Sequence, residues 1–250
     1  MINSTASSAL LVQGTSPRVA DLVINHIGIG AGLFVPVSNV EIERLSVRST
    51  GSYACAPAIS GVVRDTACVA TGANAAAINH VSGGGTATQR LRNVTAIATG
   101  TNGDGLLVGT LSAATVRIVD ARNVIFIGTQ DVDASASGVG SSVTVIAQSS
   151  NYDSTATLGA ATVTSPGSGT NQTAAPIFAD TTLYHQAPSS PTVNAGTTDG
   201  FTGAVDLDGD ARPQGAANDI GADELVPIVN PPQPPADTTP PETTIDKGPK

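Results

Sequence analysis

The chain of 250 residues has no tryptophan, one methionine, four phenylalanines and three tyrosines. Both lysines, Lys247 and Lys250, sit in the last four positions, and glutamate occurs only at Glu41, Glu43, Glu224 and Glu242. Scarce aromatics exclude a core built round large rings. Scarce charged helix formers exclude long amphipathic helices of the usual soluble kind. The net charge is -9 and no basic cluster interleaves with aromatics, so a nucleic-acid partner is excluded and an anionic membrane surface is disfavoured. There is no run of about 18 apolar residues, so no membrane insertion of this segment is expected. The opening Met1-Ile-Asn-Ser-Thr-Ala-Ser-Ser8 lacks the basic and apolar regions of a secretory leader. It starts within strand-like sequence and the chain ends in proline-rich sequence, which reads as a fragment of a longer protein.

What is abundant is Ala, Val, Thr, Ser and 27 glycines. Small and β-branched side chains suit narrow, stacked interiors. Two-residue alternation recurs in Leu22–Ile29, Val40–Ile42 with Leu45–Val47, Val116–Ile118, Val124–Ile127 and Val143–Ile146, and marks short strands. Asn-Val pairs begin at Asn39, Asn93 and Asn123, and Asp65 falls midway between the first two, giving a repeat of 27 to 30 residues. A repeat of that length without a helix predicts one β coil per repeat, stacked as a parallel β-helix. Asn and Gly at the corners supply left-handed backbone angles. An antiparallel sandwich is the alternative.

Residues 1–150 are therefore expected to form parallel β-helix coils, and residues 151–226 the end of the stack with a segment that covers it. Residues 227–250 are expected to be a Pro-rich linker into a truncated further domain.

Ser190-Pro-Thr-Val-Asn-Ala-Gly196, Asp206-Leu-Asp-Gly-Asp210, Arg212-Pro213 and Asp219-Ile-Gly-Ala-Asp-Glu224, in that order, resemble the closing segment of bacterial choice-of-anchor Q proteins. The match covers roughly residues 150 to 226. It implies a right-handed parallel β-helix of the pectin-lyase-like type in a secreted or cell-surface parent. The stretch Asp237–Ile245 is similar to the entry of bacterial immunoglobulin-like surface domains.

The fold carries lyases, hydrolases, adhesins and structural spacers alike, so function rests on particular residues. Carboxylates at i and i+2 on a strand share a face, and Glu41 with Glu43 and Asp131 with Asp133 meet that spacing. They are the catalytic candidates of an enzyme reading, a polysaccharide lyase or glycoside hydrolase; a solvated charged face is the plainer one. The coils hold no lysine, no Asp-Asp pair and no Arg-Ile-Lys, so no catalytic residue transfers from the pectin lyases. Asp206, Asp208 and Asp210 form D-x-D-G-D, a candidate for calcium, with turn capping beside Arg212 as the alternative. His26, His80 and His185 lack metal-ligand spacing.

Cys55 and Cys68 are the two cysteines. A disulfide suits an extracellular protein, whereas half a coil of separation would put the thiols on different walls. The expected function is a non-catalytic surface module, structural or adhesive, whose partners are surface glycans or other surface proteins.

Overall fold

The computed structural model describes residues 1–57, 60–81, 84–227 and 248. The expected linker and further domain lie almost wholly outside the described residues. Among the described residues fifteen strands follow one another: β1 (Ile2–Ser4), β2 (Ser8–Leu11), β3 (Arg18–His26), β4 (Ala31–Phe34), β5 (Val40–Ser49), β6 (Tyr53–Ala56), β7 (Gly61–Ala70) and β8 (Ala76–Val81). Then come β9 (Thr86–Ala98), β10 (Asp104–Thr110), β11 (Val116–Ile127), β12 (Gln130–Ala136), β13 (Ser142–Gln148), β14 (Thr155–Gly159) and β15 (Ala161–Val163). Odd-numbered strands form one sheet of eight and even-numbered strands another of seven, each in coil order. Neighbouring strands pair in parallel, as at β5 with β7 and β10 with β12. The protein is a parallel β-solenoid of about six coils.

The repeat is less regular than the asparagines suggest. Pairing advances by 23 residues from Val19 to Ile42, by 28 from Thr66 to Val94 and by 30 from Val94 to Val124. Asn39 consequently belongs to a different corner, where its backbone N–H donates to Ser60 Oγ. Asp65, Asn93 and Asn123 do stand in one column, which Asp21 and Arg44 extend, every one of them left-handed, with φ between 49° and 59°. Each folds its long strand into two walls. Asn123 Nδ2 donates to Asn93 Oδ1 at 2.8 Å, and Asn93 Nδ2 to Asp65 Oδ1 at 2.9 Å. Short amide and carboxyl side chains tolerate this conformation because they bond locally.

Inside, alternation places Ile42, Leu45, Val47, Val63, Leu91, Val94, Phe126 and Leu106 in one continuous core, all buried. The narrow interior explains the cysteines. Cys55 on β6 and Cys68 on β7 lie on facing walls, 5.9 Å apart between Cα atoms, and form a disulfide. Different walls do not forbid the bond, because consecutive strands of one coil face each other across the core.

Among the described residues beyond 175, the chain leaves the stack of coils. It returns along the outside of the eight-stranded sheet as a strap. Tyr184 and Phe178 pack edge to face and rest against Val69, Ile97 and Ile127 of β7, β9 and β11. Thr197 exchanges two hydrogen bonds with the Asn123 amide, and Ala222 N–H donates to Thr95 Oγ1. The described residues of the strap thus lie along a flank of the coils.

Candidate functional site

The strap meets the left-handed column through charge. Arg212 lies 3.1 Å from Asp65 and 2.8 Å from Glu224, and all three side chains are 1% exposed. It also donates to the carbonyls of Gly221 and Ala222. Burial pushes the Asp65 carboxyl up to about 6, with Arg212 and the Asn93 amide opposing it. Farther along, Arg92 is held by Asp120 and by the strap's Asp199, at 2.8 Å each.

The Asp-rich turn is built into this clamp. Asp206 is fully buried. Its Oδ1 accepts the N–H groups of Asp208, Gly209 and Asp210, and its Oδ2 accepts that of Glu224. Asp206 is thus a turn cap, and the three aspartates do not converge on one point.

A different group does. His185 offers one ring nitrogen, and Asp208 and Asp223 one carboxylate oxygen each, within 4.8 Å of one another; it is the one such trio among the described residues. His185 Nε2 lies 2.9 Å from Asp208 Oδ2, and Nδ1 is bonded to Asp180. Burial opposes charge on the imidazole, but Asp180, Asp208 and Asp223 outweigh it and hold its pKa above the ordinary value. Burial also pushes Asp223 up to about 6. Although burial acts against ionised Asp180, the N–H groups of Leu183 and Thr182 together with His185 bring it to about 2. One imidazole with two carboxylates is a donor set suited to a divalent cation.

Beside this trio a groove of about 260 Å³ opens between strap and solenoid, lined by Asp21, Arg44, Ser46, Leu183, Leu207 and Asp208 among others. Sequence spacing concealed the arrangement: His185 and Asp208 lie 23 positions apart, and the strap's own folding joins them.

The catalytic candidates are not brought together. Glu41 and Glu43 are on β5 in the eight-stranded sheet, Asp131 and Asp133 on β12 in the other. Glu43 is buried and bonded to Arg18 and Arg64, with Arg44 at 3.4 Å, while Glu41 is half exposed with Arg64 at 3.8 Å. Asp131 accepts the N–H groups of Gly128, Asp153 and Ser154, and lines a cavity of about 190 Å³ with Asp153 and Asn151. Burial raises the Asp131 carboxyl despite those bonds, and it raises Asp133 as well. His26 is fixed between Ser49 Oγ and the Ala6 carbonyl, at 2.8 Å each.

The chain matches no protein-family model, no curated protein and no solved structure. Fold and clamp together define its class, a parallel β-solenoid with a strap fixed by charge along one flank. Among the described residues no helix is long and apolar enough to cross a membrane.

Proposed function

We propose that the chain is a non-catalytic module of a secreted or cell-surface protein, a rigid structural or adhesive stalk that presents its uncovered faces to surface glycans or neighbouring proteins. The observation that carries this reading is where the charged side chains go. Glu43 joins Arg18 of β3 to Arg64 of β7, Arg92 joins Asp120 of β11 to Asp199 of the strap, and Arg212 joins Asp65 to Glu224. These groups hold coil to coil and coil to strap, which suits rigidity more than acid–base turnover. The Cys55–Cys68 disulfide supports an oxidising compartment.

The residues that resemble the closing segment of choice-of-anchor Q proteins are those that build the strap and clamp. That supports a kinship with the right-handed, pectin-lyase-like β-helix proteins of bacterial surfaces. The second reading, a polysaccharide lyase or glycoside hydrolase, draws on the Asp131 and Asp153 carboxylates in one cavity.

A glycan-array and polysaccharide-depolymerisation screen, with and without calcium, tests both. Binding without turnover is the expected result. Release of reducing or unsaturated ends that disappears in Asp131→Asn would replace the stalk with an enzyme.

A further inference from the structure

Three separated stretches of the strap converge at His185, Asp208 and Asp223, and the charges there do not balance. Each residue offers one donor atom, all within 4.8 Å of one another. Asp180 stands behind the imidazole on Nδ1, so three carboxylates face a single histidine. Among the described residues no Arg or Lys forms an ion pair with Asp180, Asp208 or Asp223. Arg44, across the groove, is held by Asp21 at 2.6 Å. Asp223 is the least satisfied of the three. It is 7% exposed, and among the described residues it accepts one hydrogen bond, from the Gln186 N–H to Oδ2. A carboxylate has room for about four, and burying one with a single donor and no paired cation is costly. An imidazolium at His185 would offset one negative charge of three.

We propose that His185 Nε2, Asp208 and Asp223 bind one divalent transition-metal ion of the zinc type, with solvent from the groove completing its coordination. The strap prepares the ring for this. Asp180 on Nδ1 fixes the tautomer and leaves Nε2, 2.9 Å from Asp208, as the lone-pair donor, which is what a carboxylate behind a metal-binding histidine does. Asp180 is itself anchored, its Oδ1 accepting the N–H groups of Thr182, Leu183 and Tyr184. Asp208 borders the groove, which supplies the entry path. The donor set selects the ion. Imidazole suits zinc, whereas calcium takes about six to eight oxygens and has no use for a ring nitrogen. Because the three donors come from separate stretches, the ion ties the strap together and adds to its folding free energy. In the chain stripped of metal a proton on His185 is the competing occupant. The inference goes beyond the stalk reading and does not depend on it.

The test is calorimetric titration and thermal unfolding of the full chain, first treated with chelator, against Zn²⁺ and, in parallel, Ca²⁺. Expected is one Zn²⁺ per chain and a thermal midpoint that rises with Zn²⁺, returns with chelator and does not move with Ca²⁺. Asp180→Asn keeps the oxygen that accepts the three N–H groups and should weaken Zn²⁺ binding about 10–100-fold. Asp208→Asn and His185→Gln should each weaken it further. Should a variant fail to fold, the visible spectrum of Co²⁺ added to the wild-type chain decides: an intense band from low coordination supports the site, and the pale spectrum of the hydrated ion overturns it. A chain that binds no Zn²⁺ overturns the inference. Zn²⁺ binding that Asp208→Asn and His185→Gln leave unchanged also overturns it, as does Ca²⁺ bound as tightly as Zn²⁺, since that needs no imidazole.

Discussion

Arg212 Nε lies 3.1 Å from Asp65 Oδ1 with both side chains 1% exposed, so a residue near the end of the strap is locked to a left-handed corner of β7. Breaking a buried pair from one side leaves a charge without compensation. Arg212→Met should therefore cost about 3–5 kcal/mol. Urea unfolding measures it, and limited proteolysis should show cleavage within residues 176–225 ahead of the coils. A variant as stable as the parent, with an intact strap, would show that the clamp is decorative.

The column of left-handed residues makes a second prediction. Asn93 is fully buried at φ 52° and bonds to both Asp65 and Asn123. Asn93→Ala loses those bonds and retains an unfavourable backbone angle, for a loss of roughly 2–4 kcal/mol. Asn93→Gly loses the bonds alone and should be the milder variant. Equal thermal midpoints for the two would mean that the corner relaxes out of its left-handed conformation.

The disulfide closes a short loop, with Cys55 and Cys68 separated by 13 positions. A loop of that size is worth about 3 kcal/mol in the chain-entropy account. Reduction, or Cys55→Ala with Cys68→Ala, should lower the thermal midpoint without abolishing the solenoid's far-ultraviolet signature. Complete unfolding on reduction would instead make the bond a condition of folding.

Stability should be greatest in mildly acidic solution. Asp65, Asp104 and Asp223 are each pushed up to about 6, chiefly by burial, from an ordinary 3.8. A raised folded pKa means that the folded chain keeps protons the unfolded chain has released. The resulting stability is complete below 3.8 and lost as pH rises through about 6. His185, raised above 6.5, has the same sign over a higher range. Asp180, at about 2, has the opposite sign: its contribution is present above 3.8 and lost as pH falls toward 2. The thermal midpoint should peak near pH 4, fall as pH rises to about 6, and fall further above 6.5 as His185 loses its proton. Asp65→Asn should flatten part of that decline, and a midpoint that climbs steadily to pH 8 would contradict the assignment.

The solenoid was legible because alternation in Val116–Ile118 and Val124–Ile127 reports which side chains face inward, and β11 carries both runs. Asp65, Asn93 and Asn123 were placed in register because the later coils have nearly equal lengths. Asn39 was misplaced because earlier coils are shorter, and because Arg44, a residue with no turn signature, occupies the corner next to Asp65. The Asp206 turn announced itself through its glycine and closely spaced aspartates, and Asp206 caps it by accepting three backbone N–H groups. The trio of His185, Asp208 and Asp223 left no local trace, since it arises from contacts between distant parts of the strap. Equally hidden was the fate of Glu43: strand spacing says which residues share a face, not that Arg18 and Arg64 from adjacent coils will enclose one of them.

The strap runs back over the coils through Thr197 on Asn123, Asp199 on Arg92, Arg212 on Asp65 and Ala222 on Thr95. Tension applied to the backbone at Val226 therefore reaches β9, β7 and β11 through side-chain bonds spread along the strap, Ala222 on Thr95 being the first of these four. Peeling would require the outermost strand to yield first, one bond at a time. The load instead enters at β7, β9 and β11, inside the sheet rather than at its outermost strands.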